Sequence, residues 1–146
     1  MVISNTTRHV GIVVNDLGKN KDFWINSLGF QLHVEALEQS PYIDELLAIK
    51  DPNLTTVKLI DSKGFIIELL KFDNYQVEKS WSGDLKTTGL THIALTVDNV
   101  EELVENLKKL NYQLLSEIKV SPNGKVKVVF VKGPEGLMLE LVEELV

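Results

Sequence analysis

Apolar and polar positions alternate with a period of two from Thr7 to Val14 and again from Leu90 to Val97, and both stretches are rich in β-branched residues. That is the pattern of strands. A helical period follows each of them. Val100, Leu103, Val104, Leu107 and Leu110 share one face of a helix, with Asp98 placed as N-cap and Glu101 completing a capping box. The first helix is shorter: it begins near Asp16, buries Phe23, Trp24 and Leu28, and ends where Gly29 supplies a left-handed position. Three strands are expected after each helix, at about 31–37, 55–60 and 65–72, and then at 114–120, 126–132 and 137–143. Asn123-Gly124 predicts a type I′ hairpin turn, which needs positive φ at both central residues. "DSKG" and "GPEG" turn the chain into the last strand of each half. Residues 73–89 are polar and aperiodic, a linker whose Tyr75 or Trp81 is placed to pack across a site.

The halves repeat one another. "RHVGIVVNDL" (8–17) aligns with "THIALTVDNV" (91–100), which sets His9 and His92 at matching positions, 83 residues apart. "DSKGFIIELLKF" (61–72) aligns with "GPEGLMLELVEE" (133–144), matching Gly64 with Gly136 and Glu68 with Glu140 at an offset of 72. The first half carries about ten extra residues around "SPYIDELLAIKD" (40–51), where Tyr42, Glu45 and Leu46 are candidates to line a cleft. The expectation is one domain of two tandem modules, 7–72 and 90–144, each a strand, a helix and three strands, in the α+β class.

Composition narrows the function. The net charge is −6 and Arg8 is the single arginine, so the basic stripe that nucleic-acid binding needs is missing. No apolar run approaches the roughly 20 residues of a membrane span. The opening "MVISNTTRHV" has no signal or transit pattern, which points to the cytoplasm. With no cysteine, disulfides, cysteine-based zinc sites and thiol nucleophiles are excluded. No G-x-S-x-G elbow, phosphate-binding G-x-x-x-x-G-K-[ST] loop or dinucleotide-binding G-x-G-x-x-G occurs.

Chemistry concentrates in the repeat. Glu68 shares its strand face with Ile66 and Leu70, and Glu140 shares its face with Met138 and Val142. Singly, each reads as a strand-end residue facing water, and either histidine as an ordinary strand residue. Jointly, two acids on apolar faces and two histidines, all at duplicated positions, read otherwise. A buried carboxylate must be paired, protonated or bound to a metal. His9, His92, Glu68 and Glu140 provide two imidazole nitrogens and two carboxylates, a donor set for a divalent first-row ion. His33 has no counterpart and is expected on a solvated strand face.

The stretches "HVGIVVNDLGKNKDFWINSLGFQ", "IELLKF", "GLTHIALTVDNVEELVENLKKLNYQ" and "GPEGLMLELVE" resemble the vicinal oxygen chelate superfamily. It includes glyoxalase I, methylmalonyl-CoA epimerase, extradiol dioxygenases, fosfomycin-modifying enzymes and bleomycin resistance proteins. The resemblance implies paired βαβββ modules, each sheet curled into a half-barrel around a metal. It also implies His9, Glu68, His92 and Glu140 as ligands of Ni, Co, Zn, Mn or Fe, and a homodimer. The implied function is that of a divalent-metal-dependent lyase or isomerase, moving a proton next to the carbonyl of a small oxygen-chelating substrate. Glu140 or Glu68 would be its base. Bacterial-type glyoxalase I has arginine and asparagine where this chain has Val13 and Phe72, which argues against a glutathione substrate. An extradiol-type dioxygenase using Fe(II) or Mn(II), and a small-molecule binding or resistance protein, are the alternatives.

Overall fold

The computed structural model describes residues 3–4, 6–76 and 84–145. The chain divides into two units, Met1–Glu78 and Lys79–Val146. Trp81 lies outside the described residues. Among the described residues no helix is long and apolar enough to cross a membrane.

The first unit runs β1 (Val10–Val13), α1 (Leu17–Asp22), β2 (Gln31–Leu37), α2 (Tyr42–Leu47), β3 (Leu54–Ile60) and β4 (Ile66–Phe72). Its sheet has the order β1-β4-β3-β2, with β1 parallel to β4 and the other pairs antiparallel. Asp16 caps α1 by accepting from the Lys19 amide at 2.9 Å. The helix then widens into a π turn, Phe23–Ser27, and Gly29 closes it at φ 78°. This widened turn buries Phe23 and Trp24 completely, and Trp24 stands edge-on to Phe23 and to Phe30. Leu28, expected in the core, is only half-buried. On the sheet the fully covered positions are Val57 and Leu59 of β3 and Ile67 and Leu69 of β4.

The second unit runs β5 (Ile93–Thr96), α3 (Val100–Lys109), β6 (Gln113–Leu114), β7 (Lys119–Val120), β8 (Val126–Lys132) and β9 (Met138–Glu144). Its sheet repeats the first: β5 is parallel to β9, β9 antiparallel to β8, and β8 carries β6 and β7 on its far side. α3 lies against β8 and β9. There Val100, Val104 and Leu107 are buried with Val129, Val131, Leu139 and Leu141.

The structure corrects several local expectations. Both first strands are shorter than their alternation suggested, so His9 and His92 each stand just before a strand. Asn99 caps α3 in place of Asp98, accepting from the Glu102 amide at 2.9 Å. Leu110 follows the helix and is exposed. The strand expected at 114–120 is two short ladders, β6 and β7, with residues 115–118 between them. At the hairpin only Gly124 takes positive φ, 70°, and the Ser121 amide donates across the loop to the Val126 carbonyl. Four residues lie between Ser121 and Val126; the turn is therefore not the two-residue type I′ form.

Two consequences are measurable. Leu69 and Leu141 are both fully buried and face Val57 and Val129 across equivalent ladders. Leu69→Ala should cost about 2–5 kcal/mol through lost burial and the cavity left behind, read as a lower urea midpoint with unchanged slope. At the α3 terminus, Lys127 donates to Glu101 at 2.8 Å and lies 3.5 Å from Glu143, whose other oxygen accepts the Val100 amide. The Lys127 hydrogen bond, foremost, holds the Glu101 carboxyl below its ordinary value. The stabilisation is complete above the unfolded-state value of Glu101 and is lost as pH falls through the lower folded-state value. Lys127→Met should therefore lower the thermal midpoint at neutral pH, by an amount that shrinks as the solution is acidified through that range.

Candidate metal centre

In each unit the first and last strands lie side by side and in parallel, and this pairing sets histidine beside glutamate. In the first, Gly11 is in register with Glu68, and His9 stands two residues ahead of Gly11 in the chain. In the second, Ala94 is in register with Glu140, and His92 stands two residues ahead of Ala94. The repeat read from sequence is thus a repeat of register. A small residue, glycine or alanine, neighbours the carboxylate strand at both places. At Gly11 even a Cβ would come within 3.2 Å of the Leu70 Cδ1 methyl.

The faces also agree. Along β4, Ile67 and Leu69 point into the core and are fully covered, while Ile66, Glu68 and Leu70 are half-buried. Along β9, Leu139 and Leu141 are fully covered, and Glu140 and Val142 are half-buried. Each glutamate therefore lies on the sheet face opposite its packed core. Apolar neighbours line that face, yet the carboxylate is not sealed in.

The two pairs differ in detail. His92 Nε2 lies 3.1 Å from Glu140 Oε2, and Thr91 Oγ1 lies 2.8 Å from His92 Nδ1. An ionised carboxylate only accepts hydrogen bonds, so in this arrangement Nε2 carries the proton and donates to Glu140. For a neutral ring, Nδ1 then accepts from the Thr91 hydroxyl. Because a hydroxyl can equally accept, Thr91 also suits the opposite tautomer, in which Nδ1 carries the proton and Nε2 is open to a cation. The Phe130 ring stands edge-on to His92 at 5.1 Å.

In the first unit His9 Nε2 is 3.7 Å from Glu68 Oε1, a Coulombic contact and not a hydrogen bond. His9 Nδ1 is buried with no hydrogen-bond partner among the described residues; the residue before His9 is Arg8, where the second unit has Thr91. The other oxygen of Glu68, Oε2, lies 3.4 Å from Lys58 Nζ. Lys58 faces Glu68 across the β3–β4 ladder, as Phe130 faces Glu140 across β8–β9.

Each unit thus assembles one histidine–glutamate pair. Among the described residues no group of three or more histidine, aspartate or glutamate side chains is gathered to hold a metal. Lys58, Thr91 and Phe130 were missed by the reading of sequence. Lys58 was accessible in principle: the "DSKG" turn pairs Ile60 with Ile66, and counting two residues further along each strand meets Lys58 and Glu68. His33 is exposed at a register irregularity between Leu32 and Val34, as expected for a solvated position. In the extra segment Ile43 is buried, whereas Tyr42, Glu45 and Leu46 are not. Tyr75 donates its hydroxyl to the Lys50 carbonyl, tying the start of the linker to that segment.

Residues 8–130 match the family model of the glyoxalase/bleomycin resistance protein/dioxygenase superfamily. The chain is 32% identical to human mitochondrial methylmalonyl-CoA epimerase over 138 residues, covering 91% of this chain and 70% of the epimerase. It is 29% identical to lactoylglutathione lyase of Escherichia coli O157:H7, covering 93% of this chain and 90% of the lyase. Among solved structures, a glyoxalase family protein from Bacillus cereus superposes with a TM-score of 0.91 at 21% identity, covering 99% of this chain and 97% of that one. Fold and family model agree, and the chain belongs to the glyoxalase/bleomycin resistance protein/dioxygenase superfamily.

Proposed function

We propose that this chain is a divalent-metal-dependent lyase or isomerase that moves a proton next to the carbonyl of a small, oxygen-chelating substrate. The observation that carries the reading is the histidine–glutamate pair repeated at equivalent register in both units. A lyase and an epimerase among the relatives support the class.

The donor types suit a divalent first-row ion. His9, Glu68, His92 and Glu140 offer imidazole and carboxylate donors in equal number, a set such ions accept. In each unit the histidine Nε2 is directed at the glutamate carboxylate, at 3.7 Å for His9 and 3.1 Å for His92. When bound, the ion supplies Lewis-acid polarisation of the substrate's two neighbouring oxygens, which makes the adjacent C–H more acidic.

The chain's own residues supply the rest. Glu140 or Glu68 takes the proton from the carbon and returns it, with one such carboxylate in each unit. Glu140 accepts from His92 Nε2 at 3.1 Å while that nitrogen carries its proton, and it loses this donor in the tautomer that opens Nε2 to a cation. Thr91 steadies the His92 ring through Nδ1 and permits either tautomer. Ile66, Leu70, Met138 and Val142 line the glutamate faces, and apolar walls strengthen electrostatic interactions beside them. Val13 and Phe72 carry no charge and Arg8 is the one arginine of the chain, which argues against a glutathione conjugate as substrate.

Metal analysis after loading with Ni(II), Co(II), Zn(II), Mn(II) or Fe(II) should find a stoichiometric ion in the wild type and little in Glu68→Ala or His92→Ala. Its absence after reconstitution would sink the proposal. In D₂O, the loaded protein should exchange the α-hydrogen of at least one compound among α-hydroxy ketones, hemithioacetals and acyl-CoA thioesters. Replacing the basic carboxylate, as Glu140→Gln or Glu68→Gln, should slow that exchange by about 10²–10⁴-fold. Oxygen uptake with catechols, without such exchange, would point to dioxygenase chemistry instead. Thr91→Val should weaken metal binding by about 10–100-fold, as loss of a ring-orienting partner does elsewhere, with folding stability little changed.

A further inference from the structure

The two units are alike in their histidine–glutamate pair but differ in what faces the glutamate. Across from Glu140 stands Phe130, an uncharged ring; across from Glu68 stands Lys58. The two oxygens of Glu68 are divided between partners. Oε2 lies 3.4 Å from Lys58 Nζ, and Oε1 lies 3.7 Å from His9 Nε2. The Glu68 side chain is only 13% exposed, so it has little freedom to exchange these oxygens by swinging into water.

We propose that Lys58 is a positioning residue that holds Oε2 of Glu68 and leaves Oε1 as the single oxygen this unit offers to a divalent ion. The inference rests on the metal reading above and adds an asymmetry to it. Glu68 is a one-oxygen ligand carrying its own counter-ion, whereas the ladder partner of Glu140 supplies no charge. The ammonium satisfies part of the carboxylate's demand for a partner while the ion is away. It also repels the ion when it arrives, since like charges this close interact appreciably even under aqueous screening. Lys58 therefore trades affinity for a fixed orientation of the carboxylate. An arginine keeps the positive charge beside the carboxylate, although its fork can reach both oxygens; a methionine of similar length removes the charge.

Co(II) titration of the wild type, Lys58→Met, Lys58→Arg, Glu68→Ala and the double variant Lys58→Met/Glu68→Ala tests this. X-ray absorption of the loaded proteins serves as the second readout. Lys58→Met should bind Co(II) about tenfold more tightly and show one more Co–O contact, as Glu68 becomes free to use both oxygens. Lys58→Arg, which keeps the charge, should bind no more tightly than the wild type and gain no Co–O contact. Measured against Glu68→Ala alone, the double variant should show no gain, which shows that Lys58 acts through Glu68. A merely structural lysine would give weaker binding when removed. Unchanged or weakened binding by Lys58→Met, or tighter binding that persists without Glu68, overturns the role of Lys58 while leaving the metal reading intact. If none of these proteins binds Co(II), both fail together.

Discussion

The parallel pairing of the first strand with the last in each unit is the constraint on which the rest depends. These strands are far apart in sequence, and their union brings Gly11 beside Glu68 and Ala94 beside Glu140. Closing such long loops has a cost in chain entropy, which the covered faces of β4 and β9, with Ile67, Leu69, Leu139 and Leu141, offset by burial. Once the register is fixed by that apolar face, the opposite face has no choice. Side chains alternate strictly along a strand, so a slip of one residue would turn Glu68 into the core and Leu69 out of it. The same packing that stabilises each sheet therefore holds each carboxylate on the other side, next to a histidine.

The same constraint separates what the sequence discloses from what it conceals. Strand periods, the duplicated histidines and the duplicated glutamates are local or self-similar signals, and they survive in β2, β3, β4, β8 and β9 at nearly the expected bounds. The failures are all tertiary. Asp98 and Asn99 are equally competent caps by type, but a glutamate from β9, Glu143, accepts the Val100 amide and its partner Lys127 engages Glu101. No pattern within residues 98–101 contains that information. Likewise "QLLSEIKV" alternates well enough to suggest one strand, yet the chain meets β8 only at its two ends. The Asn-Gly signal was right about a turn and wrong about its type, since Ser121 and Val126 close a longer loop.

At the candidate site the legible part was the duplication of histidine and glutamate, and the illegible part was what each of them leans on. Glutamates on apolar faces announce themselves by being out of place. Lys58 does not, because a lysine in a half-buried strand is ordinary until its ladder partner is known. Thr91 is equally silent: a threonine before a strand acquires meaning only when its hydroxyl is found on His92 Nδ1. Residues that orient a ligand are chosen by geometry, and geometry is what a one-dimensional repeat omits.

Duplication also allows the two units to diverge in chemistry while remaining alike in fold. Backbone register is shared, so His9 and His92, and Glu68 and Glu140, keep their places. The ladder partners are under no such shared demand: position 58 is a lysine and position 130 a phenylalanine. A sheet tolerates either at a half-buried site, because each has an apolar stem or ring to lay along the surface. The electrostatic result is nonetheless opposite. Glu68 has an ammonium 3.4 Å away, whereas the residue opposite Glu140 carries no charge, so two carboxylates at equivalent register meet different surroundings. Such a difference in surroundings is how acids at equivalent register come to diverge in chemistry.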